Sequence, residues 1–234
     1  PAPSFSEYAR EVRLQGGEPT FVDHDAILDV DPTAHALVIV CNPNNPTGET
    51  YPTGDLLAFA GRCRDAGTVL CVDEAFLDFT DRPTLAGTPG VVVARSLTKM
   101  FGLPGLRAGF LVATGELQDR LDTARPTWGL STPAAAVGSH CLGATEFVAA
   151  TRERVAEERA RMRSRLDTRF DVTPSEAPFL LCRTTGPVDA VIGEARDDGI
   201  VVRDATTFRG LDSHILVAVK RPEQNDQLLD ALRV

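Results

Sequence analysis

The chain of 234 residues carries 33 acidic against 24 basic side chains, a net charge of −9, and is 43% hydrophobic. That length suits one large domain or two small ones, with ample apolar material for a core. The acidic balance argues against a nucleic-acid partner, and no apolar run approaches the ~20 residues that span a bilayer. With no secretory leader visible, no membrane partner and a cytoplasmic location are expected.

Taken in chain order, Ala36 to Cys41 is a short apolar run ending in Asn-Pro, and predicts a buried strand followed by a loop. Gly54 to Ala66 has helical spacing, with Leu56, Leu57, Phe59 and Ala60 on one stripe. Three further strands are predicted at Thr68 to Val72, Gly90 to Arg95 and Ala108 to Val112. Short apolar strands separated by helices or long connections predict an α/β sheet covered on both faces. Helices are then predicted at Glu116 to Ala124, Pro133 to Leu142 and, strongly charged, Thr145 to Phe170. Beyond these come a strand (Pro178 to Cys182), a helix (Val188 to Asp198), two strands (Ile200 to Arg203, His214 to Val219) and a last helix (Glu223 to Leu232). The pattern places a boundary near Ala144, dividing the chain into 1–144 and a small α+β part at 145–234.

Only two of the 24 basic residues are lysines, Lys99 and Lys220. Roughly a dozen lysines would be ordinary for this length. Arginine supplies surface charge but stays protonated, so it cannot serve as an amine nucleophile. A lysine retained in Ser96-Leu97-Thr98-Lys99, just before a glycine-rich run, is therefore a candidate covalent catalyst. The five cysteines form no CxxC pair, and three lie in apolar strands, so they are expected as free thiols. The four histidines show no metal-ligand spacing.

Asn45, Asp73 and Ser96 each fall at or just past the C-terminal end of a predicted strand, where open α/β sheets place their ligand crevice. Singly, each has an ordinary explanation. Asn45-Pro46-Thr47-Gly48 is a turn sequence, Asp73, Ser96 and Thr98 are possible helix caps, and Arg107 is a possible surface charge. Turns alone do not explain the order and spacing of the set.

Together the pieces resemble the fold-type I, pyridoxal-phosphate-dependent aminotransferase superfamily. They are Asn42-Pro43-Asn44-Asn45-Pro46-Thr47-Gly48, Asp73-Glu74-Ala75-Phe76, and Arg95-Ser96-Leu97-Thr98-Lys99 with Gly105-Leu106-Arg107-Ala108-Gly109. The resemblance implies a mostly parallel sheet with flanking helices, a small C-terminal α+β domain, and pyridoxal 5'-phosphate as cofactor. It implies that Lys99 forms a Schiff base with the cofactor aldehyde and later moves protons at the reacting carbon. Burial near other cations would favour the neutral amine that this needs. Asp73 would keep the pyridine nitrogen protonated, Asn45 would bond the cofactor's 3-oxygen, and Ser96 and Arg107 would hold the phosphate. Phe5 matches the aromatic residue that stacks on the ring, and Arg203, with Asn45, would contact substrate.

Two branches of the superfamily compete. Threonine-phosphate decarboxylases convert L-threonine O-3-phosphate to (R)-1-aminopropan-2-yl phosphate in cobalamin biosynthesis, and histidinol-phosphate aminotransferases are the alternative. Phe76 stands where aminotransferases usually carry a tyrosine that bonds the 3-oxygen. Pro126-Thr127-Trp128 and the stretch from Ile200 to Asn225 are similar to the decarboxylases, so decarboxylation of a small phosphorylated amino acid is the expected activity. Two departures bear on it. Leu216 stands where the family strand carries an anion-binding arginine, with Lys220 four residues on, on the same strand face but ~13 Å further along. The family's N-terminal portion, with its phosphate-binding glycine loop, has no counterpart here, so a fragment and weak cofactor binding are expected, and a non-catalytic remnant is the reading of a different class. The resemblance also implies a homodimer.

Overall fold

The computed structural model describes residues 1–234. In chain order the elements are α1 (Glu7–Leu14), β1 (Leu37–Cys41), α2 (Thr53–Asp65), β2 (Val69–Asp73), β3 (Val91–Ser96), α3 (Leu97–Met100), β4 (Gly109–Val112), α4 (Glu116–Ala124) and α5 (Thr132–Leu142). There follow α6 (Thr145–Leu166), β5 (Asp171–Val172), β6 (Phe179–Arg183), α7 (Val188–Asp197), β7 (Arg203–Asp204), β8 (His214–Ala218) and α8 (Pro222–Ala231). No helix is long and apolar enough to cross a membrane.

The chain divides into two compact units. One comprises Asp25–Asn42 and Tyr51–Thr151, the other Pro1–His24, Pro43–Thr50 and Arg152–Val234. This differs from the expected division at 144/145, for two physical reasons. The boundary falls within α6, where helical hydrogen bonding runs on past residue 144. The segment 43–50 is fastened to the C-terminal part. Glu176 N–H donates to Gly48 O at 2.8 Å, and Thr50 Oγ1 donates to Glu176 Oε1 at 2.7 Å. Gly48 is obligatory there, because its φ is +75° and a Cβ would lie 2.0 Å from Ser175 Oγ. The amino-terminal segment joins this unit through Asn44 Nδ2, which donates to Pro3 O at 3.1 Å.

The first unit is built on a four-stranded sheet of order β1-β2-β3-β4. β1 and β2 pair in parallel, β2 and β3 pair in parallel, and β4 turns back antiparallel to β3. Val40, Leu70, Val72, Val91 and Val93, which share one face of the sheet, are buried, whereas Gly109–Leu111 of β4 are exposed, so the sheet is not covered on both faces throughout as the sequence led one to expect. α2 connects β1 to β2 and packs on β2, burying Leu56, Phe59, Ala60 and Cys63 at helical spacing.

The second unit holds an antiparallel sheet of order β5-β6-β8-β7. β6 contributes Phe179, Leu180, Leu181 and Cys182 to the core, and β8 contributes Ile215 and Val217. α7 buries Val188, Val191 and Ala195 at i, i+3 and i+7, and α8 buries Leu229.

Most predicted elements lie within a few residues of the observed ones. Three departures have clear causes. The long helix ends at Leu166, not Phe170, because Thr168 and Arg169 N–H donate to carbonyls three residues back in a tightened last turn. The strand expected at Ile200 to Arg203 shrinks to Arg203–Asp204, because Ile200 N–H caps α7 at Ala195 O and Val201 is 87% exposed. Helix α1 was not foreseen, and it buries none of its residues. All five cysteines are free thiols, and burial pushes Cys71 up to about 11 and Cys182 up to about 12, which keeps them unreactive.

His214, half-buried on β8, stands in register opposite Arg183, which is itself opposite Asp171. Burial, and then Arg183, lower its pKa below the ordinary 6.5, with Asp171 and Asp212 opposing. The unfolded chain therefore takes up the proton more readily, so this contribution to stability is complete above about pH 7 and is lost as pH falls from about 6.5 toward the lowered folded value. Denaturant titrations at pH 5 and pH 7.5 are expected to show a smaller loss of stability in His214→Gln than in the parent chain.

Candidate active site

Parallel pairing of β2 with β3 brings the ends of both strands to one edge of the first unit's sheet. Asp73 is in register with Ala94, and the strands terminate at Asp73 and Ser96. In open α/β sheets that carboxyl edge is where ligands bind. One Asp73 carboxylate oxygen, Oδ1, accepts from Ala75 N–H at 2.9 Å, which turns the chain sharply out of the strand.

Past Ser96 the chain makes a closed excursion from 97 to 108. Ser96 pairs with Gly109 across β3 and β4, and Leu97 N–H donates to Ala108 O at 3.2 Å. Gly109 has to be glycine, because a Cβ there would lie 2.7 Å from Arg95 O. Leu97 and Ala108 are buried with Ala134 and Cys141, and Phe101, Leu103 and Leu106 pack against them. The apolar side chains thus pin the base of the excursion, leaving its polar groups at the edge. Ser96 Oγ accepts from Thr98 N–H at 3.3 Å and lies 2.8 Å from Thr98 Oγ1, so two hydroxyls sit side by side.

Lys99 lies on α3, one residue past Thr98. Its Nζ is 5.3 Å from the centroid of the buried Phe76 ring, within cation–π range. Lys99 is exposed in this chain, so the burial expected to favour its neutral form is not what the structure supplies. Arg107 closes the excursion with a left-handed backbone (φ +50°, ψ +37°), and its guanidinium donates to Pro104 O at 3.3 Å. A non-glycine residue held there is a strained position of the kind that clusters at functional sites.

The remaining expected site residues belong to the second unit. Asn45 lies in a loop whose neighbour Asn44 is fully buried and donates through Nδ2 to Thr47 Oγ1 at 3.1 Å. Phe5 is 40% exposed and meets Tyr8 edge to face at 5.5 Å. Arg203 on β7 is exposed and directly opposite Leu216 on β8, with its guanidinium carbon 5.1 Å from the Phe208 ring centroid. Leu216 packs against Leu181, Ala205, Phe208 and Leu211. Lys220 does not share the strand face of Leu216, because β8 ends at Ala218 and Lys220 lies in the link to α8. There its backbone N–H donates to Asn225 Oδ1 at 2.8 Å. The cation beside Leu216 is Arg203.

The structure therefore gathers Asp73, Ser96, Lys99 and Arg107 within one unit, and keeps Phe5, Asn45 and Arg203 in the other. Sequence reasoning treated Thr98 as a cap only. Its hydroxyl beside Ser96 makes it a further donor, and its place one residue before Lys99 was the available signal. The site thus holds a carboxylate, two hydroxyls, a primary amine and a guanidinium. That donor set suits a ligand with an aldehyde, a basic ring nitrogen and a phosphate dianion.

A sequence profile of the family described as aminotransferase class I and II matches residues 1–232. Histidinol-phosphate aminotransferase 1 of Archaeoglobus fulgidus is 32% identical over 241 residues, covering 100% of this chain and 74% of that protein. Threonine-phosphate decarboxylase of Salmonella typhimurium is 32% identical over 249 residues, covering 99% of this chain and 68% of that protein. The solved structure of histidinol-phosphate aminotransferase from Sinorhizobium meliloti in complex with pyridoxal-5'-phosphate superposes with a TM-score of 0.85 at 24% identity, covering 98% of this chain and 67% of that one.

Arg107→Gly separates backbone strain from charge. The variant is expected to unfold at the same or a higher temperature, since glycine adopts positive φ freely. Its affinity for a phosphate monoester is expected to fall roughly tenfold or more, from loss of a charge-assisted bond of about 1.5–3 kcal/mol. Calorimetric unfolding and a phosphate-binding titration read the two effects.

Proposed function

The chain belongs to the aminotransferase class I and II family, and we propose that within it the protein decarboxylates a phosphorylated amino acid, L-threonine O-3-phosphate. Its cofactor is pyridoxal phosphate. When bound, that group supplies a conjugated ring able to take up the electron pair left by bond cleavage at the substrate's α-carbon.

The residues of the site fit this cofactor by their chemistry. The Ser96 and Thr98 hydroxyls and the Arg107 guanidinium are donors for its phosphate. Asp73 would hold a proton at its ring nitrogen, because a carboxylate nearby favours the charged form. Lys99 is the one amine of the site that could engage its aldehyde, and the same amine would be the group able to deliver a proton to the substrate carbon. Asn45 is assigned to the 3-oxygen and Phe5 to the ring face on their motifs alone. Arg203 is assigned to a substrate anion, because its planar guanidinium matches phosphate or carboxylate and Leu216 beside it cannot pair with either.

Phe76 is the observation that carries the choice of reaction. Its phenyl ring lies by Lys99 Nζ and has no hydroxyl to hold the cofactor's 3-oxygen, where aminotransferases of the superfamily usually carry tyrosine. Transamination of histidinol phosphate is the second reading, supported by the equal 32% identity to an aminotransferase of that name.

Incubation with threonine phosphate is expected to release carbon dioxide without consuming a 2-oxo acid. Consumption of 2-oxoglutarate with histidinol phosphate decides for the second reading. Lys99→Ala is expected to lower turnover about 10³-fold or more and to leave no borohydride-fixed cofactor on the chain by mass spectrometry. Arg203→Ala is expected to raise KM about 10–100-fold with a smaller change in kcat.

A further inference from the structure

We propose that Glu74 and Arg95 are positioning residues, joined in a buried ion pair that holds Asp73 and Ser96 in fixed register at the carboxyl edge of the sheet. The inference rests on the assignment of Asp73 and Ser96 to the cofactor made above.

Side chains alternate across a strand. Asp73 is in register with Ala94, so Asp73 and Ser96 share one face of the parallel pair. Glu74 and Arg95, each one residue away, project from the opposite face. There Arg95 Nη1 donates to Glu74 Oε2 at 3.2 Å, and the Glu74 side chain is 0% exposed against 17% for Arg95. The pair is built into a wider set. Thr84 Oγ1 donates to the same Glu74 oxygen at 2.5 Å, Leu85 N–H donates to Glu74 Oε1 at 2.8 Å, and Arg95 Nη2 pairs with Asp78. Glu74 N–H also donates to Ala94 O at 2.8 Å, so the ladder continues one residue past the end of β2.

A buried carboxylate with this many donors resists rearrangement, because any shift leaves a charge unpaired in a low-dielectric interior. The carboxylate lies just past the end of β2, and its partners sit at the end of β3 and on the 84–85 loop. Moving Asp73 relative to Ser96 would therefore break the pair. The two expected contacts would meet two different groups of one ligand, so a displacement of either would weaken both. No property of the apolar core requires a charged pair at this point. Val91, Val92 and Val93 on the same strand close the sheet with hydrocarbon.

The test uses Arg95→Met, which keeps the stem and removes the charge, with Asp78→Asn as a milder variant and Arg95→Lys as the charge-keeping one. Phe59→Leu, in the core away from the edge, serves as a control of matched stability loss. In the cofactor-free protein, hydrogen exchange is followed at the Ala75 and Thr98 amides, which Asp73 Oδ1 and Ser96 Oγ accept. Arg95→Met is expected to speed both exchanges tenfold or more and to weaken pyridoxal phosphate binding tenfold or more, while Phe59→Leu changes neither. Arg95→Lys is expected to recover part of both effects, and Asp78→Asn to show a smaller version of them. Unchanged exchange at the two amides overturns the proposal whatever the cofactor does. Faster exchange with unaltered cofactor affinity overturns the link to the site, as does an equal loss of affinity in Phe59→Leu. The parent chain's own affinity for pyridoxal phosphate, measured in the same series, tests the cofactor assignment separately.

Discussion

The parallel pairing of β2 with β3 is the constraint on which the rest of this structure depends. It delivers Asp73 and Ser96 to one sheet edge, and it does so through a run of Leu, Val and Cys residues. Leu70, Val72, Val91 and Val93 are buried without a polar group among them. Burial of each such side chain is worth about 1.5–3 kcal/mol, so the pairing is strongly held. Register matters as much as strength. A slip by one residue would carry Asp73 to the opposite face and bring Glu74 to the edge in its place.

From that constraint the excursion at 97–108 follows. β4 returns antiparallel beside β3, and the Ser96–Gly109 pair closes a loop whose apolar residues are buried or partly buried and whose Lys99 amine and Arg107 guanidinium are exposed. The loop can hold a left-handed arginine because both of its ends are tied to the sheet. The same arrangement explains the choice of glycine at 109, where the Arg95 carbonyl leaves no room for a side chain. Small residues and polar donors in this segment thus have separate causes, close backbone approach for the first and ligand chemistry for the second.

Much of this was legible from residue order. The strand positions came from apolar runs, and the candidate amine stood out because arginine elsewhere replaces lysine in a chain with only Lys99 and Lys220. The longer helices were legible from their spacing except α1, which buries nothing and so leaves little hydropathy signal, and α3, at four residues, is too short to show a period. The site was legible only as far as motifs reach. Residue spacing along the strand offers only Lys220, ~13 Å beyond Leu216, as a cation on the same face. The chain instead leaves the sheet at Ala218, and antiparallel pairing puts Arg203 opposite Leu216. Cross-strand neighbours are a property of register between segments distant in sequence, and no local pattern carries it.

By itself the sequence determined the element order, the α/β class of the first unit, the mixed character of the second, and the residue types able to serve a phosphate, an aldehyde and a ring nitrogen. These follow from short-range periodicity and side-chain chemistry. Tertiary structure alone decided which residues share a compact unit, since hydrogen bonds from Asn44, Glu176 and Thr50 draw residues 43–50 to the C-terminal part. It also decided that Glu74, an acidic residue beside a strand end, is fully buried and paired with Arg95. Burial of a charge is affordable only where distant donors converge on it. Convergence of that kind exists only once the chain has folded.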